Sequence, residues 1–435
     1  MRCVADPCSE RLVADFDRAA TTPLRARARA AMEPFWADRY GNPSAAHALG
    51  RDAVRAVDEA REQLAELLGC APIDVVFTSG GTESDAHAVT GGIPTRTGIV
   101  LCSAVEHPAV LHAVAALGGA TVAVDRSGRI DLEALAATLS ESATGAGSAE
   151  GAHGGRQVEL LSVMAANNEL GTINDLHAVS EVLATHAPHA TLHTDAVQAA
   201  PWLDLSHVAA PAGLVSISAH KFGGPKGVGA LVVRPGVSLS PLLHGGGQEW
   251  DRRSGTTNVA GIVGMAAAFA EVASERDTVN PAVVARRDRL AQGLCAHPGV
   301  TRTVDAAVAT LPGTLHLLID GVDSEPLLFL LDQGGLRASA SSACASGAAQ
   351  ASHVLAAVLG ADAVSGAARR GALRLSLGHD VTDAEVDLAL RLVPDAIDRL
   401  RSGGSAALGA ASEAQLPSPH VSALQASSVV GGERS

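Results

Sequence analysis

"SISAHKFGGPKG", residues 216–227, holds Lys221 and Lys226, the only lysines in a chain of 435 residues; thirty arginines supply the remaining positive side chains. Arginine serves solubility and ion pairing, but its pKa above about 12 bars it from acting as a neutral amine near pH 7. A lysine amine can do so, and it condenses with carbonyls to form a Schiff base. The stretch reads as an apolar strand, "GLVSIS", running into a turn that carries the amine. Working outward, "IDVVFTSGGTES", "GIVLCSAVEHPAV", "VELLSVMAANNELG" and "ATLHTDAVQ" repeat the theme of a short buried strand followed by polar residues. Helical stretches lie between them. Residues 51–69 set Val54, Val57, Leu64, Leu67 and Leu68 at helical spacing with charges opposite, and Gly69 closes the helix. Strands alternating with helices predict an α/β fold with a mainly parallel sheet. Polar loops at the carboxyl ends of such strands gather in one crevice.

The composition bounds the alternatives. A chain with 47% hydrophobic and 18% charged residues suits a globular core, filled mostly by alanine, leucine and valine because Tyr40 is the single tyrosine. The formal charge of −14 comes without a basic run, which argues against a direct nucleic-acid surface. No apolar run is long enough to span a bilayer, and the opening "MRCVADPCSE" lacks the apolar core of a secretory signal. The six cysteines are scattered without metal-type C-x-x-C pairs. They read as free thiols in a reducing cytoplasm, with no metal site. A Lys-poor, Ala/Arg/Gly-rich chain also fits a GC-rich genome, which leaves open why these two lysines stay.

Expected organisation is an N-terminal segment (1–19), a large unit (20–262), a smaller α+β C-terminal unit (263–401) and a disordered tail (402–435). A Gly/Ala/Ser-rich surface loop is expected over 141–156.

Five polar clusters suit parts of a bound pyridoxal phosphate. "TSGGT" (78–82) offers bare backbone amides and a hydroxyl at a helix start, a cradle for phosphate, or merely a tight connection. Asp195 of "HTDAVQ", with Gln198 three residues on, is placed to hold a pyridinium nitrogen or to cap a helix. His107 of "EHPAV" can stack on a ring, act as acid or base, or serve structure alone. Asn168 of "NNELG" is an amide donor or a turn former. Ser218 and His220 flank Lys221 for phosphate contact, while Lys226 reads as a solvated surface lysine.

In this order the clusters resemble the cysteine desulfurases, in the class V aminotransferase group of fold-type-I pyridoxal-phosphate enzymes. The resemblance runs from "DRAATTPL" (17–24) to "LRLSLG" (373–378) through "GNPSAAHALG", "VVFTSGGTESD", "HGGGQE", "RSGTTN" and "SSACASG". It implies that Lys221 holds the cofactor and moves protons, and that Gly81, Thr82, Ser218 and His220 bind its phosphate. Asp195 would pair with the ring nitrogen, Asn168 and Gln198 with the ring oxygen, and His107 with the ring face. Thr256 would reach the phosphate of a second subunit, implying a homodimer. Arg374 would clamp the substrate carboxylate, with Asn42 also lining the substrate site. Cys344, in the small-residue run "RASASSACASGAA", would carry sulfur from L-cysteine as a persulfide to an acceptor protein. Iron–sulfur scaffolds, tRNA thiolation and DNA phosphorothioation draw on this family. Selenocysteine lyase, a related aminotransferase, or a scaffold without cofactor are the alternatives. Arg18, Ala86 and His379 depart from the usual pattern, away from the expected chemical core.

Overall fold

The structure is a computed structural model that describes residues 12–93, 95, 98–144, 157–340, 352–360 and 370–403, with the side chains of 143 and 144 not described. Its largest sheet has seven strands in the order β2-β8-β7-β6-β5-β3-β4. These are β2 (Val75–Thr78), β3 (Ile99–Ser103), β4 (Ala120–Val122), β5 (Val158–Ser162), β6 (Thr191–Asp195), β7 (Leu214–Ser218) and β8 (Gly229–Val233), while β1 (Ala14–Asp15) lies outside this sheet. The run from β7 to β4 is parallel. β8 is antiparallel to both β7 and β2, so β2 runs in the same sense as β7. The turns after β2, β3, β5, β6 and β7 therefore open on one edge, and these are the turns that carry the polar clusters. Strands β2, β3, β7 and β8 are buried at every position, as expected where helices cover both faces.

A second, antiparallel sheet sets β10 (Thr314–Asp320) between β9 (Val300–Arg302) and β12 (Arg370–Ser376). β1 pairs in parallel with β11 (Leu336–Arg337) as a separate two-stranded sheet, and Asp17 then bridges Ser376 of β12. The chain then crosses to the lysine turn, where Thr22 N donates to His220 O at 3.0 Å and Arg25 N to Gly223 O at 2.9 Å. Residues 14–25 thus form an arm that reaches from the second sheet to the lysine turn of the first.

Two expectations change. The helix covering 51–69 spans Ala48–Leu68 and ends on Gly69 at φ 61, but Val54 on it is 39% exposed while Arg61 is 6% exposed on the buried face. A polar side chain occupies part of the inward stripe because it has partners there, as described below. The helix Leu132–Thr144 runs into the stretch expected as a loop over 141–156, since Ser140 and Ser142 sit in a continuing Ala-rich helical register. Helix Val259–Cys295 spans the expected boundary at 262; it packs on helices Ala26–Met32 and Ala48–Leu68 and also on Asp383–Ser402. The residues 404–435 expected as a tail lie outside the described residues. Among the described residues, no helix is long and apolar enough to cross a membrane.

Candidate active site

The "TSGGT" turn joins β2 to helix Gly81–Gly91. Gly80 adopts φ 149, ψ −176, a conformation that side chains rarely allow, and its Cα faces Gly229 so closely that a Cβ on Gly229 would sit 2.8 Å away. This leaves the helix start bare. Gly81 and Thr82 line a cleft of about 440 Å³ together with Ser218 and His220. Gly81 and Thr82 of one polar cluster and Ser218 and His220 of another thus meet at one cleft. Lys226 is exposed but also borders this cleft. Burial, then the positive charges of Lys221 and Lys226, pushes the His220 imidazole down to about 4, and its Nδ1 lies 3.1 Å from Thr21 Oγ1.

Lys221 ends the short turn Ala219–Lys221 after β7. Its Nζ donates to Ala19 O at 2.6 Å and to Ala20 O at 3.0 Å, carbonyls of the crossing arm. Gln198 Nε2 donates to the same Ala19 O at 2.8 Å. Asp195 closes β6, 5% exposed, and accepts from Val197 N at 2.8 Å. Burial raises its carboxyl above the usual range, while His107, the Val197 N–H and Lys221 act to lower it. His107 is depressed by burial and by Lys221, against the pull of Asp195. Asp195, His107 and Lys221 thus act on one another's charge, although their turns are far apart in sequence. His107 also caps helix Pro108–Ala116, Nδ1 accepting from Ala109 N at 3.1 Å.

The turn-forming asparagine of "NNELG" is Asn167: its Oδ1 accepts from Glu169 N and Leu170 N, both at 2.9 Å. The half-buried Asn168 accepts at its backbone carbonyl from Arg374 Nη1 at 2.8 Å. Arg374 is 4% exposed, donates from Nη2 to Asp17 Oδ1 at 2.7 Å, and leaves Nε unmatched. Its position on β12 follows from the second sheet, so the site draws on both sheets.

Two expected residues stand apart, and a third is not among the described residues. Thr256 is exposed and lines a separate cavity of about 130 Å³ with Gln248 and Arg253. Asn42 is exposed and uses its Oδ1 in its own turn, accepting from Ser44 N at 2.9 Å. Cys344 lies outside the described residues. The flanks of its segment are described: Ser339 exchanges backbone hydrogen bonds with Arg374, at 3.2 and 2.7 Å. Ser352 Oγ donates to Glu169 Oε2 at 2.5 Å, and His353 Nε2 lies 2.9 Å from Glu106 O.

Two unusual residues are nearer the site than expected. Arg18 and His379 line a cavity of about 660 Å³ that Lys221 and Gln198 also line. Burial and Arg25 push His379 down to about 4; its Nδ1 lies 2.9 Å from Arg25 Nη2, and its ring stands edge-on to Trp202 at 4.4 Å. The third, Ala86, lies within helix Gly81–Gly91.

Sequence reading missed one element. Arg61 forms a two-point ion pair with Glu249 at 2.8 Å for each contact, and its guanidinium lies 4.4 Å from the Phe77 ring and 4.6 Å from that of Trp250. This pair fastens the loop of "HGGGQE" and "RSGTTN" to the end of β2. An arginine inside an otherwise apolar helical stripe was the available signal.

A mainly parallel sheet with a bare helix start, a lysine and a buried aspartate at its carboxyl edge defines a class: an α/β enzyme core with its polar turns gathered on one edge. The chain belongs to the aminotransferase class-V family, whose model matches residues 15–389. It is 43% identical over 408 residues to an IscS-like cysteine desulfurase of Mycobacterium tuberculosis, covering 92% of this chain and 100% of that one. A cysteine desulfurase of Cereibacter sphaeroides is 41% identical over 397 residues, covering 89% and 96%. Among solved structures, a NifS-like protein superposes with a TM-score of 0.78 at 32% identity, covering 89% of this chain and 100% of that one.

Proposed function

We propose that the protein is a pyridoxal-phosphate-dependent cysteine desulfurase: L-cysteine and the Cys344 thiol give L-alanine and a Cys344 persulfide, which passes sulfur to an acceptor protein. The carrying observation is that Lys221, Asp195 and His107 act on one another's charge at the sheet edge where Ser218 and His220, next to Lys221 in the chain, share a cleft with the bare helix start at Gly81.

The residues fit the cofactor. The Gly80 conformation and the close Gly229 backbone leave amides free to meet phosphate oxygens, with Thr82, Ser218 and His220 around the same cleft. Lys221 would hold the aldehyde, Asp195 the ring nitrogen, Gln198 and Asn168 the ring oxygen, and His107 the ring face. When bound, pyridoxal phosphate supplies an electron sink.

The protein's own groups do the rest. The Lys221 amine takes the proton from the substrate α-carbon and returns it. Arg374 receives the carboxylate through its planar fork, held in orientation by Asp17 and the Asn168 carbonyl. The flanks of the Cys344 segment are fastened at Arg374, Glu169 and Glu106, which supports delivery of its thiol to this edge. Asn42 would line the substrate site with its amide nitrogen, its Oδ1 serving its own turn.

Thr256, exposed and outside its own cleft, supports a homodimer in which each subunit completes the other's phosphate site. We take the large unit as 20–262 and the smaller one as 263–401, and assign the reaction to the cytoplasm. The test supplies L-cysteine and measures L-alanine together with added sulfur mapped by mass spectrometry. Amino-group exchange with a keto acid and no persulfide overturns the reading in favour of an aminotransferase. Turnover confined to selenocysteine overturns it in favour of a lyase.

A further inference from the structure

A carboxylate stands in the cleft read as a phosphate site. Glu83, in the first turn of helix Gly81–Gly91, is the one acidic side chain among the described residues that line it. The turn itself uses this acid: Glu83 Oε2 accepts from Ser79 N at 2.8 Å, which ties the two-glycine turn to the helix. Burial raises the Glu83 carboxyl, but hydrogen bonds from Arg253 and Ser79, with the Arg253 charge, hold it below its usual range, so it is ionised at pH 7. A phosphate monoester carries a charge of about −1.5 to −2 near pH 7, and at the edge of a protein cleft like charges repel more than they do in bulk water.

Arg253 answers that charge from outside the cleft. Its Nε donates to Glu83 Oε1 at 2.8 Å and its Nη2 to Glu83 Oε2 at 3.2 Å, a two-point pair whose side chains are 20% and 11% exposed. Arg253 does not line the cleft; it lines the smaller cavity beside Thr256, and Ser79 and Gly227 border both. Its loop is held in place, Gly255 N donating to Gln248 Oε1 at 3.0 Å and Ser254 N to Leu243 O at 3.2 Å. Gly255, at φ 131, runs close behind the guanidinium, whose Nη1 would lie 3.2 Å from a Cβ there. Without Arg253 the two charges on the cleft wall, Glu83 and Lys226, would cancel. With Glu83 neutralised, the cleft presents the Lys226 charge and the helix amides to an anion.

We propose that Arg253 is a positioning residue of this cleft: it cancels the Glu83 charge, so that the carboxylate shapes the turn without repelling a bound phosphate. The inference rests on reading the cleft as the phosphate site of the cofactor. It assigns opposite effects to two residues that a purely structural pair would make equivalent. Loss of Arg253 uncovers the negative charge and weakens anion binding. Loss of the Glu83 charge leaves Arg253 unbalanced beside the cleft and strengthens it. Loss of both restores the wild-type balance.

The test is calorimetric titration of inorganic phosphate, and separately of pyridoxal phosphate, into the full chain freed of cofactor. Arg253→Gln should raise the dissociation constant for phosphate about fivefold, and Glu83→Gln should lower it by a similar factor, the size of one charge near a partly solvated helix start. The double variant should fall within about twofold of wild type, and both single differences should shrink as sodium chloride is raised. A glutamine amide oxygen at 83 still accepts from Ser79 N, so Glu83→Gln keeps the turn and decides the sign by itself if Arg253→Gln does not fold. Weaker phosphate binding in Glu83→Gln, or a double variant as weak as Arg253→Gln, overturns this inference alone. A wild-type chain that binds neither phosphate nor pyridoxal phosphate overturns the reading of the cleft and the inference with it.

Discussion

Glu249→Ala should be the most damaging single change outside the chemical centre. Arg61 and Glu249 have side chains only 7% and 8% exposed, and they meet at two points. Arg61 also donates to Val75 O, and Glu249 accepts from Phe77 N at 3.0 Å. Glu249, Trp250 and Asp251 adopt φ of 49, 55 and 62, three consecutive residues in the left-handed region. Such a conformation costs roughly 1–2 kcal/mol per residue, so the loop keeps this shape only while the clasp and its two aromatic contacts hold it. Removing one partner of a buried pair leaves the other charged and dry, which costs about 3–5 kcal/mol. For a chain of this size that is a fall of about 3–6 °C in melting temperature, measured at fixed cofactor concentration because bound ligand raises stability by mass action. Arg61→Met combined with Glu249→Met should restore much of the loss, giving a coupling of roughly 3 kcal/mol in a double-mutant cycle. Because the loop carries Thr256, weaker cofactor retention and weaker dimerisation should accompany the single change. A Glu249→Ala protein within about 1 kcal/mol of wild type, or strictly additive single and double variants, would refute the clasp.

Lys221→Ala should release the cofactor on dialysis and abolish turnover, whereas Lys226→Ala keeps the covalent link; borohydride reduction followed by peptide mapping reads the attachment point. Cys344→Ser should bind L-cysteine yet form neither alanine nor a protein persulfide, and added sulfur found on Cys102 or Cys295 with the variant fully active would contradict the assignment. Gly80→Ala should cost roughly 1–3 kcal/mol of strain and weaken phosphate binding, read as the concentration of inorganic phosphate or cofactor needed to raise the melting temperature. His316, fully buried beside Thr303 and Arg374, is pushed down to about 3. Its unfolded form takes a proton near pH 6.5 and its folded form does not, so its stabilisation is present above about 6.5 and is lost as pH falls. The stability gap between wild type and His316→Gln should therefore narrow by about 2 kcal/mol between pH 7 and pH 5. Paired urea titrations at the two pH values measure it.

Much of the site was legible because its parts are local. Each strand-turn unit carries its own polar residue, and buried strands declare themselves as short apolar runs in "LVSIS" and "VVFT". The bare cleft at Gly81 followed from two glycines before a helix. The division of labour in "NNELG" was not legible, because two adjacent asparagines are equivalent until the turn chooses Asn167 as its acceptor. The tie between Arg374 and the Asn168 carbonyl was likewise hidden, since it spans 206 positions. Arg18 and His379 looked remote from the chemistry, yet the crossing arm and the turn after β12 fold them into the same cavity as Lys221.

The sequence alone determined the strand and helix pattern, the mainly parallel sheet, and the placing of Lys221 in the turn after an apolar strand, because these follow from periodicity and side-chain chemistry within a few residues. Only the tertiary structure decided the Arg61–Glu249 clasp, the arm that joins the sheets, and the buried contacts of His193 with Ser162 and Ser216. Those depend on strand order: placing β5, β6 and β7 side by side at about 4.8 Å spacing brings two serines and a histidine into contact, and no local pattern in the chain encodes which strands become neighbours.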